Sequence, residues 1–502
     1  MNTKALRQKV LDLAIHGKLV PQNPNDESAT VLLEKIRAEK AEKIKKGELK
    51  ADKKDSFIFV GSDKRHYEQF ADGTVKDIED EIPFDVPEGW AWCRLSMMVS
   101  ELGDGLHGTP HYNSKGQYFF VNGNNLANGK IEIKDDTKRV DDSEYQKYKK
   151  SLSNNTILVS INGTLGNVAF YNNEPIILGK SACYFNLLIA ELKQYCFYFL
   201  ISDYFKKYAE ENATGSTIKN VSLQSMRSLL IPLPPLNQQE RIITAIEKAI
   251  TKIDFLEQNQ SDLQTAIKQA ESKILDLAIH GKLVPQDPTD EPAEELLKRI
   301  ATSDNRPYKK LSGDEIPFEL PKTWIWQKLP DLCSIPITDG THKTPTYSDK
   351  ENGIPFLSSK DVTSGEIDWS KIKYITKELH EELYKRLAPQ KNDILLAKNG
   401  TTGIAALVKD NTVFDIYVTL ALIRPISKII YPQYLLYIIN SQFCKNQFND
   451  HLTGIGVPNL HLVDINKTVI PLPPLSEQQR IVSKIEELFE YTDIITISIK
   501  DC

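Results

Sequence analysis

The sequence predicts a mixed fold, α+β to α/β in content. Two homologous globular domains are expected, separated by long antiparallel coiled-coil helices in a cyclically permuted pseudo-twofold repeat. Three observations carry this reading. Apolar residues at Ile242, Ile246, Ala249, Ile253, Leu256, Leu263, Ile267, Ala270, Ile274 and Leu277 step by four and three, interrupted only by Gln260. That is the heptad seam of a helix lying against another helix. IPLPPLNQQERI at 231–242 returns as IPLPPLSEQQRI at 470–481. KVLDLAIHGKLVPQ at 9–22 returns as KILDLAIHGKLVPQ at 273–286.

The helix expected over 237–280 would be roughly 65 Å long at 1.5 Å per residue, and proline-bearing segments mark both ends. Its second copy begins at 476, with the heptad continuing through Ile481, Ile485, Leu488 and Ile495, and reaches Cys502. The missing half of that copy matches the other terminus. Residues 476–500 and 3–17 are therefore expected to form a split partner of the central helix, as in a ring opened inside one helix. Gln260 is a lone polar seam residue of the kind that pins register.

Taken in order, residues 1–55 are N-terminal helices completing the C-terminal helical region. One is expected over 3–17, stopped by Gly17 and Pro21, and a lysine- and glutamate-rich one over 27–46. Residues 56–80 are a polar insertion or linker, absent from the second repeat. A first domain over 81–236 opens at EIPFDVPEGWAWCRL, and a second over 315–475 opens at EIPFELPKTWIWQKL. Trp90 and Trp92 thus match Trp324 and Trp326, alternating as on a strand. Each domain carries short strand-like segments, an amphipathic helix (about 194–211 and 433–449) and a last apolar strand. The spacer is 237–286, a helix or linker follows over 287–314, and 476–502 is the C-terminal helix.

Composition bounds the function. The 502 residues carry a formal charge of −6, with a pI near 6.0. Bulk electrostatics therefore do not advertise nucleic acid, although a local basic surface would suffice to bind it. Six cysteines without a CxxC read as reduced core thiols. No apolar run is long enough to span a membrane, and no signal-peptide pattern opens the chain, so a soluble intracellular protein is expected.

Catalytic signatures are missing. GDGLHG at 103–108 fits GxGxxG but leads into TPHYNSKGQ rather than a helix, so it is rejected as a dinucleotide site. His107 and His111 are separated by Gly108 and Pro110, and Thr346 replaces the second histidine in the other copy, which argues against zinc. There is no Walker A loop, GxSxG, HExxH or amino-methyltransferase tetrapeptide. Three paired loops remain: DGxHxTP at 104–110 and 339–345, NGTxG at 162–166 and 399–403, and TGSTIKN at 214–220 against TGIGVPN at 453–459. Turns rich in Asn, Thr, His and Lys suit contact with phosphates or base edges.

In combination, the twin PLPPLxxQxRI helix starts, the repeated LDLAIHGKLVPQ, the IPFxxPxxWxW entries and the DGxHxTP and NGTxG loops resemble specificity (S) subunits of type I restriction–modification enzymes. The resemblance spans essentially the full length. It implies that each domain is a target-recognition domain reading one half of a bipartite, asymmetric site on double-stranded DNA. It implies that the coiled coil sets the half-site spacing and docks two methyltransferase (M) subunits, directing adenine-N6 methylation, with restriction (R) subunits joining for cleavage. The chain itself would be non-catalytic and cytoplasmic, and would bind no cofactor or metal. S-adenosylmethionine would belong to the M subunits, and ATP and magnesium to the R subunits. A self-contained restriction–methylation enzyme, an S subunit of a related combined system, and a repeat scaffold with no DNA role are the alternatives.

On this reading the DNA-contacting residues of the first domain are His107, Thr109, His111, Tyr112, Asn113, Lys115, Asn122, Asn124, Asn125, Asn162, Thr164, Ser216, Thr217, Lys219 and Asn220. Those of the second are Thr341, His342, Lys343, Thr344, Tyr347, Ser359, Lys360, Lys398, Asn399, Thr401, Thr402 and Asn459. Coiled-coil and M-subunit docking falls to Ile242, Ile246, Ile253, Leu256, Gln260, Leu263, Ile267, Ile274, Leu277, Ile481, Ile485 and Leu488.

Overall fold

The computed structural model describes residues 2–52, 55–303, 308–362, 365–400, 402–449 and 459–501. They form two compact units that divide between Asn259 and Gln260. One helix, Leu236–Ile279, contributes its first half to the N-terminal unit and its second half to the C-terminal unit.

In the N-terminal unit the helix Thr3–Ile15 opens on Asn2, whose side chain accepts from the Ala5 amide. It runs antiparallel to the first half of the long helix. Arg7 bonds Asp254 at 2.5 Å and Glu257 at 2.7 Å, while farther along Gln22 meets Gln238 at 2.8 Å and Asp26 meets Arg241 at 2.5 Å. Val10, Leu11, Ala14 and Ile15 share one apolar cluster with Ile242, Ile246 and Ile253. Full burial of a valine, leucine or isoleucine side chain is worth about 1.5–3 kcal/mol. Gly17 sits at φ +65°, and a Cβ there would collide with Pro87, so the turn that ends the helix requires glycine.

The C-terminal unit repeats this plan. Leu475–Asp501 runs antiparallel to the second half of the long helix, with Gln260 donating to the Ile499 carbonyl at 3.4 Å and Thr492 to Glu271 at 3.1 Å. Arg480 meets Asp290 at 2.6 Å, the counterpart of Arg241 with Asp26.

The heptad reading needs correction in the middle of the long helix. Ile246, Ile253 and Ile267 are buried, and Gln260 and Ile274 are partly buried, all on one row of the seam. The other row opens to solvent: Leu256 is 43 % exposed, Leu263 is 42 % exposed, and Ala270 is exposed. A strict seven-residue repeat drifts by about 20° per heptad on a straight helix, and here the partner segments cover only one of the two rows. Ile242, Ile481 and Ile485 are buried, Leu277 and Leu488 partly so, while Ile495 is 43 % exposed.

Each unit also holds an α/β domain. A four-stranded antiparallel sheet has the order 168–170, 156–160, 182–187, 99–104 in the N-terminal unit. The matching order in the C-terminal unit is 338–339, 420–423, 394–397, 405–407, read from the opposite edge. The entry strand Ala91–Arg94 pairs with the exit strand Leu230–Leu233, as Ile325–Lys328 pairs with Val469–Leu472. The helices expected over 194–211 and 433–449 are each two helices. Ser202 and Ser441 break them, donating to the Phe199 carbonyl at 2.6 Å and the Ile438 carbonyl at 2.5 Å. Residues 56–77, expected as insertion or linker, fold into a three-stranded antiparallel sheet anchored by Arg94 Nη2 to Glu68 at 2.8 Å.

A buried clasp joins helix to domain in both units. Trp90 Nε1 donates to Gln238 Oε1 at 2.9 Å, and Gln238 Nε2 donates to Gln22 Oε1 at 2.8 Å. In the second copy Trp324 Nε1 donates to Glu477 at 2.9 Å, and Gln286 donates to its other oxygen at 2.5 Å. Burial lifts the Glu477 carboxyl above the ordinary range in spite of these two donors. A raised folded-state pKa stabilises the fold below the ordinary glutamate range and ceases to do so as pH rises through the folded value. Glu477→Gln, the residue of the first copy, is therefore expected to melt about 2–4 °C above wild type at pH 8 and close to it at pH 4. Thermal melts by circular dichroism at the two pH values check this, and a gap that does not widen with pH refutes it.

Candidate nucleic-acid interface

In the N-terminal unit, strand register collects the paired loops at one end of the sheet. Asp104 lies opposite Cys183, and Ser160 opposite Ala182, so the loops leaving all three strands emerge together. Gly105 lies hard against the Leu178 carbonyl, where a Cβ would collide, and Leu106 donates to that same carbonyl at 2.7 Å. The loop after Ser160 is stitched to the 214–220 hairpin. Gly163 N donates to Lys219 O at 3.0 Å, Val221 N to Ile161 O at 2.8 Å, and Asn162 Nδ2 to Asn220 Oδ1 at 3.1 Å. The 122–125 turn joins through Ser181, whose hydroxyl donates to Asn122 Oδ1 at 3.0 Å and accepts from Gly123 N at 2.9 Å.

This platform presents His107, Thr109, Asn124, Thr164, Ser216, Thr217 and Lys219 to solvent. His107 Nε2 lies 2.6 Å from Asp104. Asn122, Asn162 and Asn220 are half-buried and spend their side chains on loop bonds. Asn125 is 5 % exposed, accepting from the Asn122 amide and donating to Glu132 O and Thr137, so it is a brace rather than a reader. His111, Tyr112, Asn113 and Lys115 are exposed but not stitched to the platform. They are tied to a separate sheet edge through Asn113 N to Arg139 O at 2.9 Å and to the helix Asp142–Tyr148 through His111 N to Glu144 at 2.9 Å.

The C-terminal unit builds the same platform with different charges. Thr341 N donates to Ile416 O, Ser359 N to the Thr419 hydroxyl, and Lys398 N to Thr419 O, while Leu460 N donates to Lys398 O. Asn399 and Asn459 form an isolated antiparallel bridge, as Asn162 and Asn220 do. His342, Lys343, Thr344, Tyr347 and Lys360 are exposed, with Lys343 paired to Glu382 and Lys373 Nζ 4.4 Å above the Tyr347 ring. Asn399, Thr402 and Asn459 are half-buried. Thr401 and residues 453–458 lie outside the described residues.

Three expected readers here are buried. Lys398, with its side chain 8 % exposed, is locked to Asp339 at 2.5 Å. Thr341 is 6 % exposed, with its hydroxyl accepting from Lys343 N, and Ser359 is 8 % exposed. Burial acts to raise the Asp339 pKa, but the Lys398 ammonium and His342 hold it below the usual carboxylate range. Ile161 stands where Lys398 does in the first platform, so Asp104 has no such lysine.

Sequence reasoning missed Lys180. It is exposed between Gly179, where a Cβ would collide with Asn122, and Ser181, which holds the 122–125 turn. Its signal was a lysine in the turn between two strands, where Val418 stands in the other copy. Among the described residues no cluster of three His, Cys, Asp or Glu side chains could hold a metal, and no helix is long and apolar enough to cross a membrane.

The family described as the type I restriction modification DNA specificity domain matches residues 107–265 and 321–501, about two thirds of the chain. The EcoAI specificity subunit of Escherichia coli is 26 % identical, over 99 % of this chain and 90 % of its own length. The EcoEI specificity subunit, also from Escherichia coli, is 25 % identical over 98 % and 89 %. A solved chain from work on complex assembly and conformational transition of the type I R-M system superposes with a TM-score of 0.52 at 18 % identity. It covers 84 % of this chain and 95 % of its own, a likeness of fold.

The buried pair yields a prediction. Lys398→Ala leaves Asp339 buried without its main partner and is expected to destabilise the fold by about 3 kcal/mol, whereas His342→Ala stays within about 0.5 kcal/mol. Urea melts of both variants distinguish a brace from a surface lysine.

Proposed function

The chain belongs to the type I restriction–modification DNA specificity family and carries two target-recognition domains; from that premise we propose that it addresses a methyltransferase to a split DNA site without catalysing anything itself. One observation carries the reading. The same stitched loop platform occurs in both units, sharing an exposed histidine (His107, His342) but otherwise with unlike outward residues: Lys180 and Lys219 on one, Lys343 and Lys360 on the other. Two platforms of one geometry and different chemistry suit two different half-sites. Exposed Asn, Thr, His and Lys side chains supply the donors and acceptors that base edges and phosphates require.

The chain would bind no cofactor. S-adenosylmethionine would sit in two M subunits, and ATP with magnesium in R subunits. Exposed apolar side chains on the long helix and on the helix Leu475–Asp501 support docking of M subunits. In the N-terminal unit Phe255 and Leu256 are 65 % and 43 % exposed, and in the C-terminal unit Leu263, Tyr491 and Ile494 are 42 %, 59 % and 54 % exposed. The length of that helix would set the gap between half-sites. On this reading the purified chain alone transfers no methyl group and gains activity only when M subunits are added, which separates it from a self-contained enzyme.

Four residues inserted after Gln258 lengthen the helix by about 6 Å and should widen the gap in the methylated site by one to two base pairs at about 3.4 Å each. Methylome sequencing of a host carrying the variant reads this directly, and an unchanged gap refutes the spacer role. Lys180→Ala should weaken DNA binding by the assembled S–M complex about 3- to 10-fold and reduce the slope of log affinity against log salt by about one. Titrations at several salt concentrations measure both, and an unchanged slope removes Lys180 from the phosphate contacts.

A further inference from the structure

The C-terminal unit packs a piece of its own chain into a slot that the N-terminal unit leaves open. Between the helix Ala293–Ser303 and the strand Ile325–Lys328 lies the extended segment Tyr308–Leu311. The Lys309 carbonyl accepts from Gln327 at 3.3 Å, Lys310 pairs with Glu294 at 2.8 Å, and Leu311, 4 % exposed, clusters with Trp326 and Val469. The space left beside the segment is about 30 Å³.

The equivalent helix and strand of the N-terminal unit, Ala29–Lys45 and Ala91–Arg94, have the inserted sheet beside them instead. A cavity of about 620 Å³ remains, reaching from Leu33 on the helix to Trp92 on the strand. That is ligand-site size, since such sites run to about 300–1,000 Å³. Its outer wall is the strand Ser56–Val60, the edge strand of its sheet, which pairs only with His66–Phe70. Val60 is 58 % exposed there.

The other unit and the rim say what would fill it. The rim carries Glu34, Asp85 and Glu88, all exposed and without an ion pair among the described residues, against one exposed cation, Arg37, whose guanidinium lies 4.3 Å over the Phe57 ring. Three unpaired carboxylates around an apolar floor complement a basic segment, the chemistry of the YKKL segment that occupies the other unit.

We propose that this slot binds an extended, basic segment of a partner polypeptide. A leucine- or tyrosine-sized side chain sits on Trp92, and a lysine or arginine meets the Glu34–Glu88 rim. The edge strand Ser56–Val60 offers free backbone groups alongside. The site is independent of the DNA-facing platforms.

Fluorescence anisotropy with the full chain and a labelled YKKLS peptide tests it. Saturable binding is expected, with an acidic YEELS peptide at least about 10-fold weaker. Glu34→Lys combined with Glu88→Lys changes only exposed, unpaired side chains and should also cost at least about 10-fold, with the melting temperature unchanged. Leu33→Trp fills the cavity and should abolish binding. No saturable binding below about 1 mM, equal affinity for the two peptides, or indifference to the double charge reversal overturns the proposal.

Discussion

Each recognition domain hangs on one buried indole. Trp90 donates to Gln238 at the start of the long helix, and Gln238 in turn reaches Gln22 in the turn after the N-terminal helix. Three segments remote in sequence are thereby fixed at one point. The entry strand begins immediately after Trp90 and pairs with the exit strand, which leads back into the long helix within three residues. The clasp therefore sets where the domain leaves its helix and where it returns. Arg241 with Asp26 lies one turn along, partly buried, and repeats as Arg480 with Asp290. A polar knot of this kind binds strongly because each donor has its acceptor, and removal of one member would leave the others buried and unsatisfied.

The helical frame was legible because its signals are local. Prolines end the long helix, glycine ends the turn at Gly17, and the repeat of LDLAIHGKLVPQ gives the second copy for nothing more than an alignment of the chain with itself. What failed were properties that depend on neighbours. Nothing in the sequence says which of two seam rows a partner helix will cover, so Leu256 and Ile253 read alike although one is exposed and the other buried. The breaks at Ser202 and Ser441 were hidden by an apolar period that continues across them. The sheet over 56–77 was there to be read in SFIFV and HYEQF, but its charged turns made it resemble a linker.

At the recognition platforms the loops were legible and their exposure was not. Repetition marked DGxHxTP and NGTxG as a set, and strand register does bring them to one end of each sheet. Lys398 looked like a reader because it is a lysine in a polar turn. Its burial follows from Asp339, which sits two strands across the same sheet, a relation visible only once the strand order is known. The same logic hid Lys180, which belongs to no motif but stands in the turn that the other loops pack around. Position relative to the sheet end, more than residue type, decides which side chains face outward.

The open seam row bears on how stiff the strut can be. A lone pair of helices buries one apolar row and leaves the second, here Leu256 and Leu263, in water. Helices of this length owe most of their stability to packing rather than to propensity, so the middle of Leu236–Ile279 is the part with least tertiary support. Other helices laid on that row would bury it and hold the segment straight. In the function proposed above those helices come from the M subunits, and the spacing between half-sites becomes a property of the assembled complex rather than of this chain alone. Such coupling would let the specificity subunit measure DNA only when the enzyme that acts on the DNA is in place.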